Sequence, residues 1–76
     1  MEVYALTSKG KATLAQMRQS PSLAKTPPCL VLDCINRVGS ANAAQIADGT
    51  RLSVGNTIRM LGELRIGGLA RIIAEV

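Results

Sequence analysis

Several side chains between residues 51 and 59 are of types that hydrogen-bond to nucleic acid rather than carry out covalent chemistry. The amide of Asn56 can form a paired hydrogen bond with adenine, and the guanidinium of Arg59 can do the same with guanine. The other candidate contacts in this segment, to phosphate oxygens or through close approach of the backbone, are Arg51, Ser53, Gly55 and Thr57.

Each of these side chains also has a purely structural interpretation. Ser53 is a suitable helix N-cap, and Asn56 lies close enough to the same helix start to bond only locally. Arg59 is either a contact or a solvated charge, and Glu63, four residues later, is placed to pair with it on a helix. The residue types alone leave these alternatives open.

The residues that most enzymes need are absent. The chain has no histidine, so the usual general base and the commonest metal ligand are missing. Cys29 and Cys34 are five residues apart, which is the spacing of neither a redox pair nor a zinc half-site. Because small reduced cysteines are usually buried, we expect both to lie in the core. We therefore expect no enzyme, no metal site and no cofactor.

Length and charge limit the remaining functions. A chain of 76 residues allows one small domain, here residues 1–76, whose stability a second copy of the chain would increase. The net charge of +4 favours a polyanionic partner. No apolar run is long enough to span a membrane, and the first ten residues lack a signal-peptide pattern. These features predict a cytoplasmic protein with no membrane partner.

Strand and cap signals predict the elements that must position the polar segment. Asn42 and Gln45 form a variant capping box, and Gly49 is the expected left-handed stop of the helix that they begin. Ser53 is expected to cap the next helix. The predicted strands are Val3–Leu6 and a segment within Leu69–Val76. The predicted helices are one capped by Thr7 or Ser8 that runs to about Gln19, Pro28–Val38 (with Thr26 as cap), Ala43–Asp48 and Val54–Ile66, and a linker is expected at Ser20–Pro28.

Apolar spacing predicts which faces of the helices are buried. In helix 54–66, steps of three and four place Val54, Ile58, Leu61 and Leu64 on the inner face. Ser53, Asn56, Thr57, Arg59 and Glu63 are then left for the outer face or its flanks. In the helix before Gly39, the expected inner residues are Val31, Ile35 and Val38, with Leu32 adjacent to them.

The segment from Val31 to Arg71 resembles the winged helix-turn-helix family. Ala44-Gln45-Ile46-Ala47 resembles the first motif helix, Gly49–Leu52 the turn, and Leu52–Ile58 the entry to the recognition helix. Gly67-Gly68-Leu69-Ala70-Arg71 resembles the exit of the family into its wing. The resemblance implies a helix-turn-helix core at 42–66 and a recognition helix, 54–66, that lies in the major groove of double-stranded DNA.

The order of elements departs from the family pattern, in which a two-stranded wing follows the recognition helix. Here Tyr4–Lys11 resembles the strand and helix that normally come after the wing, so the order looks circularly permuted. Since a lone strand leaves its backbone unpaired, Val3–Leu6 is expected to pair with Ala70–Glu75, within one chain or between two copies. Lys9 and Lys11 then either replace the wing as phosphate contacts or are solvated surface lysines.

The sequence thus predicts a mainly α domain with a two-stranded sheet, in the order β-α-α-α-α-β. The expected function is sequence-specific binding of double-stranded DNA by a small transcriptional regulator. A homodimer would read two half-sites about one helical turn apart. The alternative is a winged-helix protein-interaction module, such as an inhibitor or accessory subunit, that binds a protein partner and no DNA.

Overall fold

A computed structural model describes residues 1–76 and shows a mainly helical chain with one small antiparallel sheet. The helices pack against the sheet, with contacts to each of its strands. In chain order the elements are β1 (Glu2–Leu6), α1 (Ser8–Arg18), α2 (Pro21–Ala24), α3 (Pro27–Val38), β2 (Ala41–Asn42), α4 (Ala43–Thr50), α5 (Val54–Ile66) and β3 (Ala70–Glu75).

The first and last strands pair within one chain, as expected. Strand β1 lies in the middle of the sheet, with β2 on one side and β3 on the other. Leu6 is opposite Ala70 and Tyr4 is opposite Ile72, and an irregularity between Val3 and Tyr4 shifts the register beyond them. The two chain ends meet, because the amide of Val76 donates to the carbonyl of Met1 at 2.8 Å.

The sheet has three strands, so the prediction of two was wrong. The additional strand, β2, has only two residues, and it pairs Ala41 with Tyr4 and Asn42 with Val3. A strand of two residues is too short to show the alternation of apolar and polar residues by which strands are recognised. It joins the helical layer to the sheet, because Ala41 is buried and Asn42 begins helix α4.

Side chains cap three of the helices. Thr7 Oγ1 accepts the amide of Gly10 at 3.0 Å at the start of α1. At α4 the capping box predicted from Asn42 and Gln45 is confirmed, with bonds of 2.9 and 3.0 Å. The side chain of Thr26 does not cap α3 by a hydrogen bond, so that prediction was wrong. Thr26 precedes that helix, but its hydroxyl donates to the carbonyl of Leu23 at 2.7 Å because the predicted linker contains helix α2.

Gly49 does not form the left-handed stop that was predicted. Helix α4 continues through it to Thr50, and Arg51 takes the left-handed conformation with φ 63°. A Cβ added at Gly49 would lie 3.1 Å from the sulfur of Cys34. The glycine therefore has its effect where α4 packs closely on α3, rather than in the turn, since a larger side chain would press on Cys34.

One core joins the helices to the sheet. Cys29 and Cys34 are both buried and free, as expected. The prediction that Val38 belongs to the inner face of α3 was wrong, because Val38 lies in the last turn and is 62% exposed. The largest fully buried side chains are Leu14, Val31, Leu32, Ile35, Ile46 and Leu61.

Candidate nucleic-acid interface

Helices α4 and α5 contact each other and are joined by a turn of three residues, Arg51, Leu52 and Ser53. Ile46 and Ala47 are the buried residues of α4. The left-handed backbone of Arg51 turns the chain between the helices and leaves this side chain exposed. The turn therefore carries a cation directly before the N-terminus of α5.

The N-terminus of α5 has the cap that the sequence predicted. Ser53 Oγ accepts the backbone N–H of Asn56 at 3.1 Å. The side-chain amide of Asn56 forms no hydrogen bond within the chain, so it does not act as a local cap. In addition, the amides of Val54 and Gly55 have no carbonyl partner one turn earlier in the helix. Exposed donors are thus concentrated at this end of α5, where the helix dipole also favours an anion.

Helix α5 is rotated relative to the prediction from apolar spacing. Its buried residues are Thr57, Leu61 and Leu64, whereas Val54 is 49% and Ile58 is 55% exposed. The assignments of Val54 and Ile58 to the inner face, and of Thr57 to the outer face, were therefore wrong. Both patterns share Leu61 and Leu64, so apolar spacing alone does not decide between Thr57 and Ile58, and the packing of neighbouring elements buries the threonine.

Thr57 cannot contact DNA from this position. Its exposed fraction is 0%, and its hydroxyl has no hydrogen-bond partner. An unpaired buried hydroxyl costs about 1–3 kcal/mol. We therefore withdraw Thr57 from the set of candidate contacts.

Asn56 and Arg59 line one shallow cleft of about 220 Å³ beside α5, which we call the α5 cleft. Glu63 lies in the same cleft, but no ion pair joins it to Arg59. The guanidinium of Arg59 thus has no partner within the chain. The rest of the lining, which sequence reasoning did not single out, is Pro27, Leu52 and Met60.

The ion pairs of the fold lie on other helices. Asp33 on α3 pairs with Arg18, and with Arg37 at 3.7 Å. Neither Arg51 nor Arg59 takes part in an ion pair. The cations next to the turn between α4 and α5 are therefore free to bind an external anion, while part of the positive charge elsewhere is neutralised.

Lys9 and Lys11 lie away from the α5 cleft. Gly10, between them, packs on the backbone of Leu69, and the side chain of Lys9 lies beside Gly68. Gly68 and Leu69 follow the C-terminal end of α5, which lies about 20 Å along the helix axis from the Ser53 cap at its other end. The predicted cations thus form two groups at opposite ends of α5 rather than one cluster.

Two further arginines, which sequence reasoning did not select, lie on the other flank of α5. Arg65 and Arg71 line an open groove of about 630 Å³ between α5 and β3, together with Gly62 and Ile66. No spacing rule connects Arg65 with Arg71, because a turn and a change from helix to strand separate them. Only the packing of β3 along α5 brings them together.

The N-terminal end of the same flank is acidic and apolar. A groove of about 330 Å³ is lined there by Val54, Ile58, Glu2, Tyr4 and Glu75, among others. The Tyr4 hydroxyl donates to Glu2 Oε2 at 2.7 Å. Burial, and then the hydrogen bond and negative charge of Glu2, raise the pKa of Tyr4, while the charge of Arg65 opposes this.

No group of three or more metal-ligating side chains is brought together in the fold. Its longest helix, α5, has 13 residues, and none of its helices has the length and hydropathy to cross a membrane. Comparison with protein-family profiles, with curated protein sequences and with solved structures finds no match to this chain. Function must therefore be inferred from the residues themselves.

Proposed function

We propose that this protein binds double-stranded DNA by placing helix α5 in the major groove, as a small cytoplasmic transcriptional regulator. The observation that carries the proposal is the capped first turn of α5. It presents an unbonded Asn56 amide and an unpaired Arg59 guanidinium on the same cleft. These groups are the ones that read adenine and guanine edges in the major groove.

Phosphate contacts complete the proposed interface. Arg51 in the turn and the free amides at the start of α5 are placed to bind one backbone phosphate. Gly55, exposed and without neighbours at its Cβ position, lets the helix backbone approach the DNA. At the other end of α5, Lys9 and Lys11 are proposed to contact phosphates further along the duplex.

We further propose that the domain is a winged helix-turn-helix in permuted order. In support, a turn of three residues joins α4 to α5, and β3 follows α5 and pairs with β1, which leads into α1. The third strand, β2, follows α3 after two residues, and its last residue, Asn42, begins the capping box of α4. The sheet thus supports the helix-turn-helix at both of its ends.

A protein-interaction module is the second candidate. The observation that favours it is the apolar flank of α5, where Val54, Ile58 and Ile66 are exposed. Under this alternative α5 binds a protein through that flank, and the α5 cleft has no DNA ligand. The two candidates differ in which side of α5 is used.

The test is binding to a random-sequence duplex, measured by fluorescence anisotropy over a series of salt concentrations. We expect affinity to fall steeply with salt, and Arg59→Ala to weaken binding and to reduce the salt slope by about 1. Arg37→Ala is the matched control, because it removes the same charge from the far end of α3. Absence of binding at low salt, or equal loss in both variants, would contradict the proposal.

A further inference from the structure

We propose that one flank of α5 binds a second copy of this chain through antiparallel helix packing. The flank is formed by Val54, Ile58, Gly62 and Ile66, and we call it the α5 stripe. It is separate from the α5 cleft, which lies on the other flank of the helix and holds Asn56 and Arg59. The inference does not rest on DNA binding.

The α5 stripe has the spacing of a single packing ridge. Its residues are four apart, and side chains four apart line up along a helix to fit the grooves of a second helix. Ile66 is 91% exposed, and Val54 and Ile58 are about half exposed. Three of the nine exposed large apolar side chains in the chain therefore lie on one ridge rather than being scattered.

The stripe is complementary to itself. When two α5 helices pack antiparallel about the level of Met60, Ile58 of one copy faces Gly62 of the other, and Val54 faces Ile66. The branched side chain of Ile58 thus enters the space that Gly62 leaves open. Because the same contact occurs twice about the two-fold axis, one favourable pair stabilises both halves of the interface.

The fold itself does not require Gly62. A Cβ added there would have no neighbour within 4 Å, so nothing inside the chain excludes a larger side chain. Glycine in a helix interior costs about 1 kcal/mol relative to alanine. A close approach by another molecule gives this glycine a role, and the facing Ile58 of a second copy supplies one.

Charges at the two ends of the stripe match in the same arrangement. Glu2 and Glu75 line the groove beside Val54, and Arg65 and Arg71 line the groove beside Ile66. Antiparallel packing brings the acidic end of each copy to the basic end of the other. A parallel arrangement would bring like charges together, so the charges select the antiparallel one.

This dimer differs from the one expected from the sequence. Packed helices lie 8–10 Å apart, whereas half-sites read by two recognition helices are about 34 Å apart. Two adjacent helices are also wider than the major groove, which is about 12 Å across. The proposed dimer is therefore a DNA-free form of the protein, which must separate before α5 enters the groove.

The test is sedimentation equilibrium of the full chain without DNA, over a range of protein concentrations. We expect the wild type to dimerise, and Ile58→Asn and Gly62→Gln each to weaken dimerisation about tenfold or more. Gly62→Gln introduces a good helix former into open space, so circular dichroism should show it folded. Val38→Asn, which removes an exposed apolar side chain from α3, is the matched control and should leave dimerisation unchanged.

A charge exchange tests the orientation. Arg65→Glu should weaken the dimer, and adding Glu75→Arg to the same chain should restore it. A wild type that is monomeric at all concentrations would overturn the proposal, as would dimerisation that survives both Ile58→Asn and Gly62→Gln. Failure of the double charge variant to recover would overturn the antiparallel arrangement.

Discussion

Gly10 and Leu69 lie so close that a Cβ at residue 10 would be 2.0 Å from the carbonyl oxygen of Leu69. This contact holds the start of α1 against the chain between α5 and β3. Gly10→Ala must push these backbones apart, so we expect a loss of about 1–3 kcal/mol or more in the free energy of unfolding. Urea unfolding followed by circular dichroism measures it.

Gly55→Ala is the control for that substitution. Gly55 is also helical, but a Cβ there would meet nothing within 4 Å. We expect the free energy of unfolding of the Gly55→Ala variant to equal that of the wild type or to exceed it by as much as about 1 kcal/mol. Equal destabilisation by both substitutions would show that the contact between Gly10 and Leu69 does not cause the destabilisation by Gly10→Ala.

Thr57→Val is expected to stabilise the protein by about 1 kcal/mol, because valine keeps the shape of the side chain and removes the unpaired buried hydroxyl. Thr50→Val is the comparison. Thr50 Oγ1 donates to the carbonyl of Ile46 at 2.7 Å, so its loss should destabilise. Thermal unfolding of both variants checks the prediction, and a destabilised Thr57→Val would mean that the hydroxyl has a partner in solution.

We expect the free energy of unfolding to depend on pH through the raised pKa of Tyr4. Its pKa is raised in the folded chain by burial and by Glu2, so the unfolded chain loses the proton first. The stability linked to this proton is therefore complete below the ordinary tyrosine pKa of about 10 and is lost as pH rises through the raised value. Tyr4→Phe should remove this part of the alkaline decline, measured by urea unfolding at a series of pH values. An unchanged decline in the variant would assign it to other groups.

Gly62→Gln should separate the two proposed uses of α5. It blocks the approach of a second α5 helix while leaving Asn56 and Arg59 in place. Because the dimer is proposed to exclude DNA, we expect the variant to bind duplex at least as tightly as wild type at high protein concentration. Fluorescence anisotropy measures this, and weaker binding by the variant would show that the stripe itself contacts DNA or supports the DNA-binding form.

Local signals in the sequence were enough to place most elements. The caps at Asn42 and Ser53 are formed by residues three apart, so they could be predicted from the local sequence without knowledge of the fold. Pairing of the first and last strands followed from the need of each strand for a partner. Strand β2 has no such signal, because its two residues pair only where the rest of the sheet exists.

The rotation of α5 was not predictable from its own sequence. Thr57 and Ile58 both lie three or four residues from Leu61, and hydropathy favours burial of the isoleucine. The structure buries the threonine, because the neighbouring elements determine which side of the helix is covered. The same limit applies to the grouping of Arg65 with Arg71, which depends on packing between elements.

The most direct test of the central claim is to map the DNA-bound surface by NMR. Amide shifts of the ¹⁵N-labelled protein are followed as a duplex is added, with Arg37 as a reference on the far end of α3. Binding by the α5 cleft predicts the largest changes at Arg51, Ser53, Gly55, Asn56 and Arg59. Changes confined to Ile58, Gly62 and Ile66, or no changes at low salt, would contradict it.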